Sequence, residues 1–295
     1  MAAQMIATRA LRRVSVGQIT STSNHGDNLA AAAQLCAEAR AAGACLLCLP
    51  EAFSFIGSAA TETVAQAEPL SGPRVAAYRA LAREHGLWLS LGGFHEAGAP
   101  DGRVYNTHLV VDAEGATVAE YRKAHLFDVD VPDGPVLMES RSTAPGPAEC
   151  VVVDARDALG FSFGLTTCYD LRFPELYVAL ARRRCDAILV PSAFTRPTGE
   201  AHWHLLLRAR AVESQAYVLA AAQAGVHNEK RKSYGHALAV DPWGAVLGDC
   251  GPDASPSLVT VDLDLDKIRA IRTKMPIQAH RRADVLDLLV APPPS

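Results

Sequence analysis

The chain has 295 residues, of which 49% are apolar and 20% charged, and its net charge is -4. This is the balance of a globular chain long enough to bury a sizeable core without staples. The slight acidity argues against nucleic acid or an anionic membrane surface as main partner, and no apolar run reaches the length of a membrane span.

In chain order, the pattern alternates strand and helix. The first residues carry Arg9, Arg12 and Arg13 with no acid, a composition shared with mitochondrial presequences. VSVGQIT already reads as a strand, so residues 1–13 are taken as a short extension. NLAAAAQLCAEARAAG predicts a helix stopped at Gly43. CLLCLP is a short, continuously apolar strand of the kind buried on both faces. SGPRVAAYRALAREHG predicts a second helix, capped by Ser71, with Pro73 in its first turn and Gly86 past its end. LWLSLGGFH is a strand, and VYNTHLVVDAEGATVAEYRK is a hairpin turning at Asp112 to Gly115.

Residues 124–149 are rich in Pro and Gly and read as a long loop, a length that inside a compact domain points to function. ECVVVDAR and FSFGLTTC follow as strands, FPELYVALARRR as a helix, AILVPS as a strand, HWHLLLRARAVESQ as a helix and YVLAAAQ as a strand. HALAVDPWGAVLG is a hairpin turning at Asp241 to Gly244, SLVTVDLDLDKIRAIR is a strand running into a helix, and residues 291–295 form a tail. No linker or repeat interrupts the pattern, so residues 14–290 are expected to form one α/β domain. Hairpins break the βαβ units, which suits two mixed sheets flanked by helices.

The seven cysteines are odd in number and sit mostly in apolar or helical segments, which predicts free thiols in a reducing compartment. A cytoplasmic location follows, with a mitochondrial fraction left open by the basic start. Cys45 and Cys48 form a C-x-x-C, but residues three apart on a strand face opposite ways, so they read as two buried strand cysteines. His202 and His204 form H-x-H with no acidic or cysteine partner at ligand spacing, and no metal is expected there.

Three reactive side chains fall at strand ends, where sites gather in α/β folds. Glu51 follows CLLCLP, Lys123 ends ATVAEYRK, and Cys168 ends FSFGLTTC. Alone, each has a plain reading as a cap, a surface charge or a core thiol. Together they supply what a nucleophilic thiol needs. Glu51 can take its proton, and Lys123 can hold the thiolate and then an oxyanion. The backbone amides that start the next helix face the same developing charge.

Glu51 in LPEAF, Lys123 in YRKAHLF and Cys168 in TTCYDLRFPEL together resemble the nitrilase, or carbon–nitrogen hydrolase, superfamily, from VGQIT to RRADVLDLL. The resemblance implies a four-layer α-β-β-α sandwich and no cofactor. It implies that Cys168 forms a thioester, that Glu51 is the general base, and that Lys123 polarises the carbonyl with the backbone amide of Tyr169. Glu139, in VLMESRSTAPGP, matches a second glutamate that positions the lysine and the substrate. Arg172 and Glu175 match the RFPE block and are read as an ion pair holding the bend, with Arg172 also in reach of an anionic group. Asn106 reads as a buried polar support, and Phe194 and Thr195 as pocket lining. Lys230, Arg231 and Lys232 read as a solvated loop able to screen a substrate carboxylate.

The wording of the loops is similar to the Nit-type branch, which implies a small anionic amide as substrate and a homodimer or larger homo-oligomer. Three other readings stay open. One is an amidase of the same mechanism that releases ammonia, one is a Cys–His hydrolase using His204 or His236, and one is a non-catalytic binding protein on the same fold.

Overall fold

The computed structural model describes residues 11–130, 136–252 and 256–286. The tail at 291–295 and most of the N-terminal extension lie outside them. The first half contains β1 (Leu11–Ile19), α1 (His25–Ala41), β2 (Leu46–Leu49), α2 (Ala60–Ala65), α3 (Pro73–His85), β3 (Trp88–Ala97), β4 (Val104–Val111) and β5 (Thr117–Arg122). Next come a small hairpin, β6 (Asp128–Asp130) and β7 (Val136–Met138), then β8 (Val152–Ala155), β9 (Phe161–Leu165), α4 (Pro174–Arg182) and β10 (Ala187–Leu189). The remainder is α5 (Arg196–Ser214), β11 (Tyr217–Ala220), β12 (Ala222–Val226), β13 (Lys232–Tyr234), β14 (Leu238–Val240), β15 (Val246–Asp249), β16 (Ser257–Asp264), α6 (Leu265–Lys274), α7 (Ile277–His280) and α8 (Ala283–Leu286).

The strands form two large mixed sheets. One runs β13-β12-β1-β2-β3-β4-β5, with β16 also antiparallel along β1, and the other runs β15-β14-β11-β10-β9-β8. Strand alternation makes the layers. Leu46 and Cys48 of β2 point between the sheets, where they join Phe161, Phe163, Ala187 and Leu189. Leu47 and Leu49 point the other way, onto Leu35 and Cys36 of α1 and Tyr78 and Leu81 of α3. Trp203 and Leu207 of α5 and Leu180 of α4 cover the second sheet. This is the expected α-β-β-α sandwich. Each fully buried Leu or Phe in these layers contributes roughly 1.5–3 kcal/mol.

Several boundaries differ from the sequence expectation, each for a local reason. β1 begins at Leu11, because it pairs with β16 from Leu11 to Gln18, and Arg13 is held there by Asp262 at 2.9 Å. α1 starts at His25, since the Asn24 side chain accepts from the amides of Gly26 and Asp27. α3 is capped by neither Ser71 nor any neighbour in sequence: the Glu68 carboxylate takes the Arg74 amide at 2.7 Å. YVLAAAQ is two strands, β11 in one sheet and β12 in the other, and so crosses between the layers. The 124–149 segment holds a hairpin and a 3-10 turn, Glu139–Arg141, and the basic loop after it in sequence includes β13. α5 begins at Arg196, six residues before His202, with Pro197 in its first turn.

Candidate active site

Glu51 sits two residues beyond β2. Its turn lies against the bulge of β3, where the Ala52 amide donates to the Gly93 carbonyl at 2.9 Å. A Cβ on Gly93 would meet Asn106 Oδ1 at 2.6 Å, and Gly93 has φ 153, so the bulge admits only glycine there. That close approach lets Asn106, on β4, donate from Nδ2 to Glu51 Oε1 at 2.8 Å.

Lys123 directly follows β5, and its amide donates to the Asn106 carbonyl. Its side chain is 2% exposed. Nζ donates to Glu51 Oε1 at 2.9 Å and to Glu139 Oε2 at 2.8 Å. Glu139 stands at the start of the 3-10 turn after β7, and its Oε2 also accepts the Phe127 amide at 2.7 Å. The long loop therefore returns a carboxylate to the lysine.

Cys168 comes from the second sheet. It lies three residues past β9 rather than on it, and its amide still donates to the Pro191 carbonyl at 2.9 Å. Its φ of 49 turns the chain out of the sheet into the 3-10 turn Cys168–Arg172. The thiol sits beside the Glu51 carboxylate and the Ala193 amide. That amide also donates to Glu51 Oε2 at 3.0 Å.

The electrostatics follow from burial. Burial pushes the Cys168 thiol up, the Glu51 charge adds to this, and Lys123 opposes it, so the resting sulfur is a neutral thiol. Burial also pushes the Glu51 carboxyl up, but the Lys123 ammonium and the hydrogen bonds from Cys168 and Lys123 outweigh it and hold Glu51 below its ordinary range. For Lys123, burial favours the neutral amine, while Glu139 and Glu51 overcome it and hold the ammonium well above its ordinary value. The site thus rests as a neutral thiol on a carboxylate, beside an ammonium shared by two carboxylates.

Asp170 explains the crowded sequence after Cys168. It is fully buried, and its oxygens accept from the Tyr121 hydroxyl at 2.8 Å, the Thr167 amide at 2.9 Å and the His125 amide at 3.1 Å. His125 Nδ1 also lies 2.7 Å from Asp170 Oδ1, and its ring stacks on Phe173 with centroids 3.7 Å apart. The Arg210 side chain of α5 donates to the Leu171 carbonyl at 3.0 Å. The bend is thereby fixed from three directions.

Other expected residues are distributed as follows. Tyr169 packs edge-on against Phe127 and Phe173. No ion pair joins Arg172 to Glu175 among the described residues. Glu175 opens α4 and is exposed, whereas the Arg172 guanidinium reaches His202 Nδ1 at 3.3 Å and lies over the rings of Tyr169 and Phe194. Phe194 is buried against Trp203. Thr195 precedes α5, and its hydroxyl is taken up by Thr198 at 2.8 Å. Arg231 is exposed, yet its charge reaches Glu51 and His95. His95 is held neutral near neutral pH, with burial as the main cause, at about 4.

His202 and His204 do not form a pair, because residues two apart on a helix point away from each other. His202 meets Arg172, and His204 meets Asp249 together with His236, an acidic partner that sequence spacing did not disclose. A cleft of about 510 Å³ opens elsewhere, with Arg183, Arg184, Asp186 and Arg272 among its lining, and neither a cysteine nor a histidine lines it. No helix among the described residues is long and apolar enough to cross a membrane.

A thiol, a base and an ammonium converging between the strand ends of two sheets are the parts that a thiol hydrolase of carbon–nitrogen bonds requires. The sequence places the chain in that class: residues 13–273 match the carbon–nitrogen hydrolase family, to which it belongs. It is 48% identical to the deaminated glutathione amidase of Homo sapiens over 92% of this chain and 83% of that protein. The protein of the same name in Dictyostelium discoideum is 47% identical over 92% of this chain and 94% of its own. Among solved structures, the C. elegans NitFhit protein superposes with a TM-score of 0.83 at 41% identity, covering 93% of this chain and 66% of the other.

Proposed function

We propose that the chain is an amidase that hydrolyses the amide of deaminated glutathione to 2-oxoglutarate and cysteinylglycine, a metabolite-repair activity. The observation that carries this reading is Lys123 clamped between Glu51 and Glu139, with the Cys168 thiol beside Glu51. The names and coverage of the relatives supply the substrate.

The mechanism follows from the resting charges. Cys168 Sγ attacks the amide carbonyl as its proton passes to Glu51, so no free thiolate has to exist beforehand. The carbonyl oxygen gains its charge beside Lys123 and the Tyr169 amide. An ammonium has three N–H donors. With the two oxygens of Glu139 sharing one and Glu51 taking another, the third is available to that oxygen. Glu51 returns the proton to the departing amine, the C–N bond breaks, and a thioester remains on Cys168. Water then loses a proton to Glu51, attacks the thioester and releases the acid and the free thiol. In this reading Arg172 and Arg231 are the cations that hold the substrate's carboxylates.

The seven free thiols support a reducing compartment. A homodimer or larger assembly is supported by apolar side chains left exposed on α5 and the following hairpin, Leu205, Val212, Trp243 and Leu247.

The test is a product assay with deaminated glutathione and 2-oxoglutaramate side by side, following 2-oxoglutarate by mass spectrometry. Preference for deaminated glutathione is expected. Preference for 2-oxoglutaramate would keep the mechanism and replace the substrate, and turnover of neither would overturn the proposal.

A further inference from the structure

We propose that His204, His236 and Asp249 form a binding site for a divalent cation of the Zn2+ class, one that the thiol chemistry does not use. The three residues come from separate elements: His204 from the middle of α5, His236 from just before β14, and Asp249 from the end of β15. One donor atom from each lies within 4.8 Å of the others. His204 Nε2 is 2.8 Å from Asp249 Oδ2, and His236 Nδ1 is 3.0 Å from Asp249 Oδ1.

Two imidazoles and a carboxylate are a zinc donor set, with water completing the tetrahedron. Ligands at zinc distances stand roughly 3.3 Å apart in a tetrahedron. The two imidazole–carboxylate separations are within about half an ångström of that value, and the two imidazole nitrogens lie within 4.8 Å of each other, so side-chain shifts admit the ion. Side-chain exposures of 35%, 21% and 27% leave it open to solvent. In the metal-bound form each neutral imidazole carries its proton on its other ring nitrogen, Nδ1 of His204 and Nε2 of His236. The two hydrogen bonds these nitrogens make to Asp249 give way to bonds to the ion.

The surroundings hold these donors in place, as outer partners do in metal sites. His236 has a left-handed backbone, φ 60, uncommon for a residue with a side chain. Its amide donates to the Gly251 carbonyl at 2.8 Å, and its carbonyl accepts from Trp203 Nε1 at 2.8 Å. Asp249 Oδ1 also accepts the Gly251 amide at 2.7 Å. Tyr234 stacks on the His236 ring with centroids 4.5 Å apart. A bound ion would tie the β14–β15 hairpin to α5, the helix that starts next to Phe194 and Thr195.

The experiment is calorimetric titration of Zn2+ into the full chain after chelation, with Asp249→Asn and His204→Gln alongside. Co2+ replaces Zn2+ in a parallel spectroscopic titration. One ion per chain is expected, weakened at least about tenfold in each variant, the scale on which even outer partners of a metal act. The Co2+ form should show visible d–d bands without the near-ultraviolet charge-transfer band of a thiolate ligand, which separates this site from binding at a cysteine. Unchanged amidase turnover by both variants in chelator would show that they fold. If turnover is lost as well, circular dichroism and metal stoichiometry on the folded fraction decide. No binding by the parent chain, binding that both folded variants retain, or a thiolate band would overturn the site and leave a hydrogen-bonded His–Asp–His brace.

Discussion

The wall of the thiol site built by the first sheet and the loop that follows it holds charge. Glu51, Asn106, Lys123 and Glu139 bond to one another, and each satisfies groups that would otherwise be buried alone. The wall built by the second sheet holds one neutral thiol on a bend, and its strength lies in the backbone and Asp170 beneath it. The first wall binds its functional groups to its own stability. The second separates them, because nothing structural depends on the sulfur.

Substitutions can break or sharpen that contrast. The largest expected effect on rate is Cys168→Ala, a loss of at least about ten-thousandfold, on the scale of other nucleophile deletions. Its melting temperature should stay close to that of the parent chain, and a large drop there would refute the separation. Lys123→Ala should lower kcat at least about a hundredfold and also cost about 3–5 kcal/mol in denaturant unfolding, since it leaves two buried carboxylates uncompensated. An active or fully stable Lys123→Ala would show that the charged wall is not coupled as described. Asp170→Asn tests the exception on the second wall. It should cost about 1–3 kcal/mol for buried donors left unmatched and lower kcat more than it raises KM.

The pH profile is the subtler test. Glu51 titrates below its usual range and must be ionised to act as a base, so the acid limb should fall below the ordinary carboxylate value of about 4.3. The stability contributed by Glu51 is full above that unfolded value and is lost as pH falls through the lower folded one. Lys123 titrates well above its ordinary value, which places the alkaline limb beyond about 10.4. Glu139→Gln removes the largest charge holding Lys123 protonated and should move that limb down. The smallest effect is expected for Arg172→Ala, about a tenfold rise in KM from one lost charge-assisted bond, with kcat little changed.

Much of this was legible in the sequence, because Glu51, Lys123 and Cys168 stand at or just past strand ends and strand ends are readable from apolar runs. The layers were readable for the same reason, from continuously apolar β2 and from the hairpins that interrupt βαβ order. What stayed hidden depends on partners distant in sequence. Glu68 caps α3 from six residues away, and Asp170 gathers Tyr121 and His125 from 49 and 45 residues away. No local pattern discloses such pairs. Arg172 and Glu175 looked like an ion pair because they are close in sequence, but the break between the 3-10 turn and α4 separates them, and His202 of α5 takes the arginine. His204 likewise finds Asp249 only through the hairpin that brings it back.

The central claim is that Cys168 carries the acyl group and Glu51 releases it. Its most direct test is intact-mass spectrometry of acid-quenched protein after brief exposure to deaminated glutathione, comparing the parent chain, Glu51→Gln and Cys168→Ala. The account predicts a 2-oxoglutaryl adduct that maps to Cys168, detectable in the parent chain during turnover, formed slowly but long-lived in Glu51→Gln, and absent from Cys168→Ala. An adduct on another residue, or full turnover by Cys168→Ala, would contradict it.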